Sequence, residues 1–150
     1  VIVRSLAELT GQELVPLALP DLAPGHADRS FEIALDDLRD EIVPRITDQH
    51  ASSKAKSLAR MVKWWRARDR FGAAFEAAEI AEIGAALGTS FGALLPARAA
   101  LAHAIVDDRI ERALALQLCL YRVTRDTALM ADAMGSLATC YFPPFEDGAA

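Results

Sequence analysis

The sequence predicts an all-α protein: a single-domain helical bundle of about five to six helices, with an irregular Pro-containing arm in front of it. Composition points there first. Ala occurs 30 times and Leu 19, against 21 Val, Ile and Thr combined, so strong helix formers outweigh the β-branched residues. Periodicity points there second, because from Ser30 onward apolar residues recur at intervals of three or four, the spacing of one helical face. Size is the third observation. A chain of 150 residues that is 53% hydrophobic and 25% charged can bury about two thirds of its surface in one core and has too little material for two. The same figures exclude wholesale disorder, a collagen-like repeat and a disulfide-dense miniprotein.

Residues 1–29 form the arm. Pro16, Pro20 and Pro24, with Gly11 and Gly25, prevent a continuous helix. Ser5-Leu6-Ala7-Glu8 has capping-box spacing and predicts one short helical turn. Leu14, Val15, Leu17, Leu19 and Leu22 make the arm too apolar to stand free in water, so it lies along its own bundle or grips a second subunit. The bundle is expected over 30–141. Its first helix turns Phe31, Leu35, Leu38, Ile42 and Ile46 inward and Asp36, Asp37, Asp40 and Glu41 outward, and Pro44 kinks or restarts it. Ser52 and Ser53 offer N-caps to a second helix with the stripe Ala55, Leu58, Met61, Val62 and Trp65, closed by Arg70-Phe71-Gly72.

A third helix, from about Ala73 to Leu87, sets Phe75, Ile80, Ile83 and Leu87 on one side. Ala74, Ala77, Ala81, Gly84 and Ala85 lie on another, where small residues allow close helix approach. Gly84, Gly88 and Gly92 end it, and Pro96 suits the first turn of a short fourth helix. Asp108-Arg109-Ile110-Glu111 reads as an acidic capping box ahead of Ala113 to Val123. Leu114, Leu116, Leu118 and Leu120 alternate there, yet the Ala and Leu content favours a helix that is apolar all round, suited to the middle of a bundle or to a subunit interface. A last helix, from about Asp126 to Thr139, presents Met130, Met134, Leu137 and Tyr141. Pro143-Pro144 breaks it, and the tail over 142–150, with Tyr141, Phe142 and Phe145 around its start, is expected to dock onto a surface.

A net charge of -5 argues against a chain-wide field that attracts nucleic acid. Cys119 and Cys140 are the two cysteines, far apart and in no Cys-x-x-Cys motif, which predicts two buried thiols in a reducing cytosol rather than a zinc or redox site. The most continuous apolar run, Ala113 to Tyr121, is interrupted by Gln117 and falls far short of the roughly 20 residues that span a bilayer. No charged segment followed by a long apolar one stands at the start, so no signal peptide is read. The expectation is a cytoplasmic chain with no membrane partner. Arg outnumbers Lys 13 to 3 and Asn is absent, a bias of GC-rich, bacterial coding.

The sharpest local feature is the stretch from Lys54 to Arg70, where seven basic residues meet one acid, Asp69, for a local charge of +6. At 100° per residue Lys56, Arg60, Lys63, Arg66 and Arg70 share an arc of about 120°, apart from the apolar stripe, and Trp64 lies just beyond Arg60. Arg60, Lys63, Trp64, Arg66 and Arg70 are therefore the candidate ligand or partner site, since a basic stripe beside an aromatic can hold phosphate, nucleic acid or an acidic partner. The plainer account is a solvated face, partly neutralised by Glu76, Glu79 and Glu82 on an antiparallel neighbouring helix.

Catalytic and metal motifs are missing. His26, His50 and His103 sit in different segments, and the three glutamates have no Glu-x-x-His partner, so no metal site is expected. Ser53-Lys54-Ala55-Lys56 matches Ser-x-x-Lys without the Ser-Asp-Asn and Lys-Thr-Gly that accompany it in penicillin-binding enzymes. No Gly-x-Ser-x-Gly, phosphate loop or Gly-x-Gly-x-x-Gly is present, and no cofactor is expected. Asp107, Asp108 and Glu111 are read as helix-terminal caps rather than an acid and base pair.

In order and spacing, Leu38-Arg39-Asp40-Glu41-Ile42-Val43-Pro44, the Lys56 to Val62 run and the Ala-Ala-Glu pattern of Glu76 to Gly88 resemble a small all-helical bacterial family of unknown function, often encoded beside aminoglycoside-phosphotransferase-like proteins. The resemblance covers the middle third, and the arm and the aromatic tail depart from it. It implies a non-catalytic accessory role and carries over no active-site residue. The expected function is that of a non-catalytic accessory or protein-interaction module, a homo-oligomer with an unidentified protein partner. Binding of a small molecule or phosphorylated ligand through the basic face of 54–70 is the alternative, and nucleic-acid binding through the same face is a weaker one.

Overall fold

A computed structural model describes residues 2–135 as five α-helices joined by turns, with no strand among them. The first, α1 (Ile2–Leu9), starts ahead of the Ser5 capping box, so Ser5 lies inside the helix rather than at its cap. Thr10 closes α1 by donating its hydroxyl to the Leu6 carbonyl at 2.7 Å. Residues 12–25 then run without regular structure, as the three prolines require. The arm touches the bundle of its own chain at Gln117. Val15 donates its N–H to Gln117 Oε1, and Gln117 Nε2 donates back to the Val15 carbonyl, both at 2.8 Å. The one polar side chain of the apolar run thus holds the arm at Val15.

Helix α2 (Asp28–Asp36) widens into a π turn over Asp37–Ile42 and a 3-10 turn over Val43–Arg45. The cause is Pro44. Its ring cannot sit against the carbonyl four residues back, and the ladder shifts just before it, with Val43 N–H donating to the Leu38 carbonyl. Helix α3 (Gln49–Leu87) follows, and it corrects the sequence reading in three ways. Its N-cap is Asp48, whose carboxylate accepts the Ala51 N–H at 2.7 Å, rather than Ser52 or Ser53. It runs unbroken through Arg70-Phe71-Gly72 for 39 residues, about 58 Å. A lone glycine costs a helix only about 1 kcal/mol, and Phe71 stacks on Phe75 across the expected break, centroids 5.4 Å apart. Glu76, Glu79 and Glu82 therefore share a helix with the basic stretch and cannot fold back upon it.

Gly88, at φ +63, ends α3. A Cβ at Gly84 would meet the Thr89 carbonyl oxygen at 2.8 Å, so that glycine makes room for the returning loop, not for a packed helix as its small-residue face suggested. Helix α4 (Leu94–Val106) carries Pro96 in its first turn as expected. Asp108 is not the cap of the next helix. It takes φ +54 behind α4, where Arg109 N–H closes on the Ala104 carbonyl at 2.8 Å. Helix α5 (Arg112–Met134) is continuous where two helices were expected. Nothing between Val123 and Asp126 breaks a helix, and Arg125 in that stretch is buried. The expected positions Leu137, Tyr141, Phe142 and Phe145 lie outside the described residues.

Helices α3 and α5 form the main contact and run antiparallel, since Asp132 holds Lys63 while Arg125 reaches Glu82. Helix α4 closes the C-terminal end of α3, α2 lies along its N-terminal half, and α1 packs on the outer side of α5. The stretch Ala113–Val123 is hidden in part: Ala115, Leu118 and Leu120 are buried, whereas Leu114 and Val123 remain exposed.

Candidate functional site

The basic stretch occupies the N-terminal half of α3, and its cations divide into two groups. Lys63, Arg66 and Arg70 point toward the rest of the chain. Lys63 Nζ lies 3.2 Å from Asp132 of α5. Arg66 donates through Nε and Nη2 to both oxygens of Asp28, at 2.6 and 2.9 Å. This fork holds the Asp28 carboxyl below its ordinary value and raises Arg66 above its own. Arg70 donates through Nε to the Leu22 carbonyl at 2.7 Å and lies over the Phe71 ring. Lys54, Lys56, Arg60 and Arg68 make no ion pair with an acid of the described residues. Trp64 is half-buried beneath the Arg68 guanidinium, 5.7 Å from its ring centroid.

The expected site residues are therefore not one constellation. Arg66, Lys63 and Arg70 serve as fasteners for α2, α5 and the arm. Arg60 stands in solvent, and Trp64 lies among the outward cations, half-buried under Arg68. Neutralisation of the basic face does occur, but by Asp28, Asp132 and Asp21 rather than by the glutamate ridge. Asp69 has a separate task. It accepts the Ala27 N–H at 2.9 Å where α2 begins, and Gly25 lets the backbone come that close.

The glutamates pair at the other end of α3. Arg98 of α4 forks onto Glu79 with both bonds at 2.6 Å, and Arg125 forks onto Glu82 at 2.8 and 2.5 Å. Glu79 and Arg125 are buried, and no buried side-chain nitrogen or oxygen of the described residues lacks a partner. Beside these pairs a cavity of about 100 Å³ is lined by Ile83, Leu101, Ile105, Leu118 and Cys119. Burial pushes the Cys119 thiol up from its ordinary pKa, which leaves it a poor nucleophile at neutral pH. No group of three His, Cys, Asp or Glu side chains stands close enough to hold a metal among the described residues. No described helix is long and apolar enough to cross a membrane.

Two surface features remain. A groove of about 540 Å³ separates α2 and its π turn from α3, with Leu35, Leu38, Val43 and Ala59 among its apolar walls and Lys56, Lys63 and Arg66 beside Glu32, Asp36 and Asp132 on its rim. The other is an apolar face. Met61 stands eighteen residues before Glu79, five full turns, so it shares the side of α3 that meets α4, and Trp65 and Leu58 lie within about 60° of that line. Helix α4, about 20 Å long, covers only the far end. Leu58, Met61 and Trp65 are left 44%, 51% and 40% exposed. On α5, Met130 and Met134 lie within about 60° of Cys119, which faces α4 across the cavity. The Lys63–Asp132 pair sets them level with the Leu58 to Trp65 stretch. Leu58, Met61 and Trp65 thus form one exposed apolar row on α3, whereas Met130 and Met134, each two positions from Asp132, turn away from the Lys63–Asp132 contact on α5.

The sequence marks Leu58, Met61 and Trp65 as part of an apolar stripe, and the structure leaves these three uncovered. The signal was present in the basic residues flanking that stripe. The neighbour's length was not. No family model, curated protein or solved structure matches this chain.

Proposed function

We propose that this chain is a non-catalytic accessory module that acts by holding another protein chain, with self-association as part of that behaviour. The observation that carries the reading is the uncovered apolar row of Leu58, Met61 and Trp65 on α3, which costs solvation free energy unless something covers it. The charged pairs nearest the cavity support the same reading, because each guanidinium and carboxylate is already engaged and none is left poised for proton or group transfer. A benzophenone crosslinker installed in place of Met61 tests the reading in cells of the source organism. It is expected to trap a protein adduct or a dimer of the chain, whereas the same group at Leu95, exposed on α4, traps neither. Equal silence at both positions, with a monomeric mass by light scattering at micromolar concentration, overturns it.

A second reading rests on the groove beside α2, whose rim offers Lys56 to an anionic small molecule over an apolar floor. Tryptophan fluorescence against nucleotides and acyl-CoA esters tests it, and no response across that panel rejects it. Nucleic-acid contact through the same stripe has less support, since three of its seven cations are engaged inside the chain. Failure to bind heparin at low salt rejects that one.

A further inference from the structure

Resting on the interaction reading above, we infer that the exposed face of the N-terminal half of α3 receives an acidic amphipathic helix of a partner protein. Its shape suits a helix. On the side of α3 that Arg98 of α4 reaches at Glu79, the N-terminal half carries the exposed row Leu58, Met61 and Trp65. A helix laid there meets them with residues spaced i, i+3, i+4 and i+7.

Its charge selects an acid. Lys54 and Arg68 lie within about 20° of the Met61 line, on either side of the apolar row, and Arg60 flanks it. None of the three pairs with an acid of the described residues. The neighbouring acids are occupied or distant: Asp69 holds Ala27, Asp132 holds Lys63, Asp126 is 3.8 Å from Arg122, and Glu76 stands three turns beyond Trp65 toward α4. The chain already contains such a complex in cis. Helix α2, acidic and amphipathic, packs on the opposite side of the same half of α3 with Asp28 in the Arg66 fork. A second copy of this chain fits less well, because pairing like faces sets Lys54, Arg60 and Arg68 near their own equivalents.

The test uses the full chain and two labelled helical peptides of roughly 18 residues, identical in their Leu positions, one with Glu and one with Lys on the remaining faces. The Glu peptide is expected to bind, to quench or shift tryptophan emission, and to lose affinity steeply between about 50 and 300 mM salt. The charge-reversed variant Lys54→Glu/Arg68→Glu should weaken it by about tenfold or more, Met61→Glu should abolish it, and Leu95→Ser should leave it unchanged. Circular dichroism establishes that each variant is folded. Equal binding of both peptides overturns the acidic preference and leaves the interaction reading standing. So does a failure of both peptides accompanied by a dimer that Met61→Glu dissolves, which makes a second copy the occupant. If neither peptide binds, the mass is monomeric and the crosslinker at Met61 is silent, both fail.

Discussion

From Gly72 to Leu87, α3 buries Phe75, Glu79 and Ile83 under α4 and α5, and its carboxylates sit in guanidinium forks. From Gln49 to Phe71 the same helix buries only Val62 and leaves Leu58, Met61 and Trp65 in water. Both halves are amphipathic, and both carry charge. They differ in what covers them. A helix of about 58 Å cannot be covered along every face by neighbours of about 20 and 35 Å, so one end becomes core and the other becomes surface. Stability is therefore concentrated at the C-terminal end of α3, and the proposed partner would sit at its N-terminal end.

Mutations can break that contrast. Arg125→Ala should cost the most, about 4 kcal/mol in urea unfolding, because it strands Glu82 partly buried. The paired change Arg125→Met/Glu82→Leu should recover at least about 1 kcal/mol of it, and a loss below about 1 kcal/mol for the single change would show the pair to be better solvated than its burial indicates. Ile83→Ala, at 1% exposure, should cost about 3 kcal/mol through its cavity. Gly72→Ala tests the junction between the halves. A Cβ there meets only the flexible Arg68 side chain, at 3.0 Å, so helix propensity should win and stability should rise by about 0.5 kcal/mol. A large loss would mean that the junction is bent.

Met61→Ser should change stability by no more than about 0.5 kcal/mol while removing peptide binding, the reverse of Ile83→Ala. The last prediction concerns pH. Asp28 is held below its ordinary pKa of 3.8 by its hydrogen bonds to Arg66, so its contribution to stability is present above that value and is lost as pH falls through the lower folded-state value. Asp28→Asn should thus be less stable than the parent near about pH 6, and the two urea midpoints should converge as pH falls below about 4. A gap that widens on acidification would contradict the fork.

Much of this was legible beforehand, and the exceptions have local causes. Pro44, Gly88 and the prolines of the arm act on their own backbone, so the perturbation before Pro44, the end of α3 and the irregular stretch followed from residue type alone. Gly72 and the Thr124-Arg125-Asp126 stretch misled because both are permissive: a lone glycine or a polar triplet ends a helix only where no packing holds it together. Phe71 on Phe75, and Arg125 on Glu82, supply that packing. The basic stripe was visible, yet its division into three inward fasteners and four outward cations was not, since the acids that fasten it come from Asp21, Asp28 and Asp132.

What the amino-acid order determined by itself was helix, period and punctuation, because these depend on the φ preferences and side-chain spacing of neighbours within a few positions. Only the tertiary structure decided which amphipathic face becomes core. Burial depends on the reach of another segment, and the Met61 face is apolar in sequence whether or not a helix lies over it. The same holds for the charges. A carboxylate and a guanidinium 43 positions apart, as in Glu82 and Arg125, become a pair only when two helices bring them within hydrogen-bond distance.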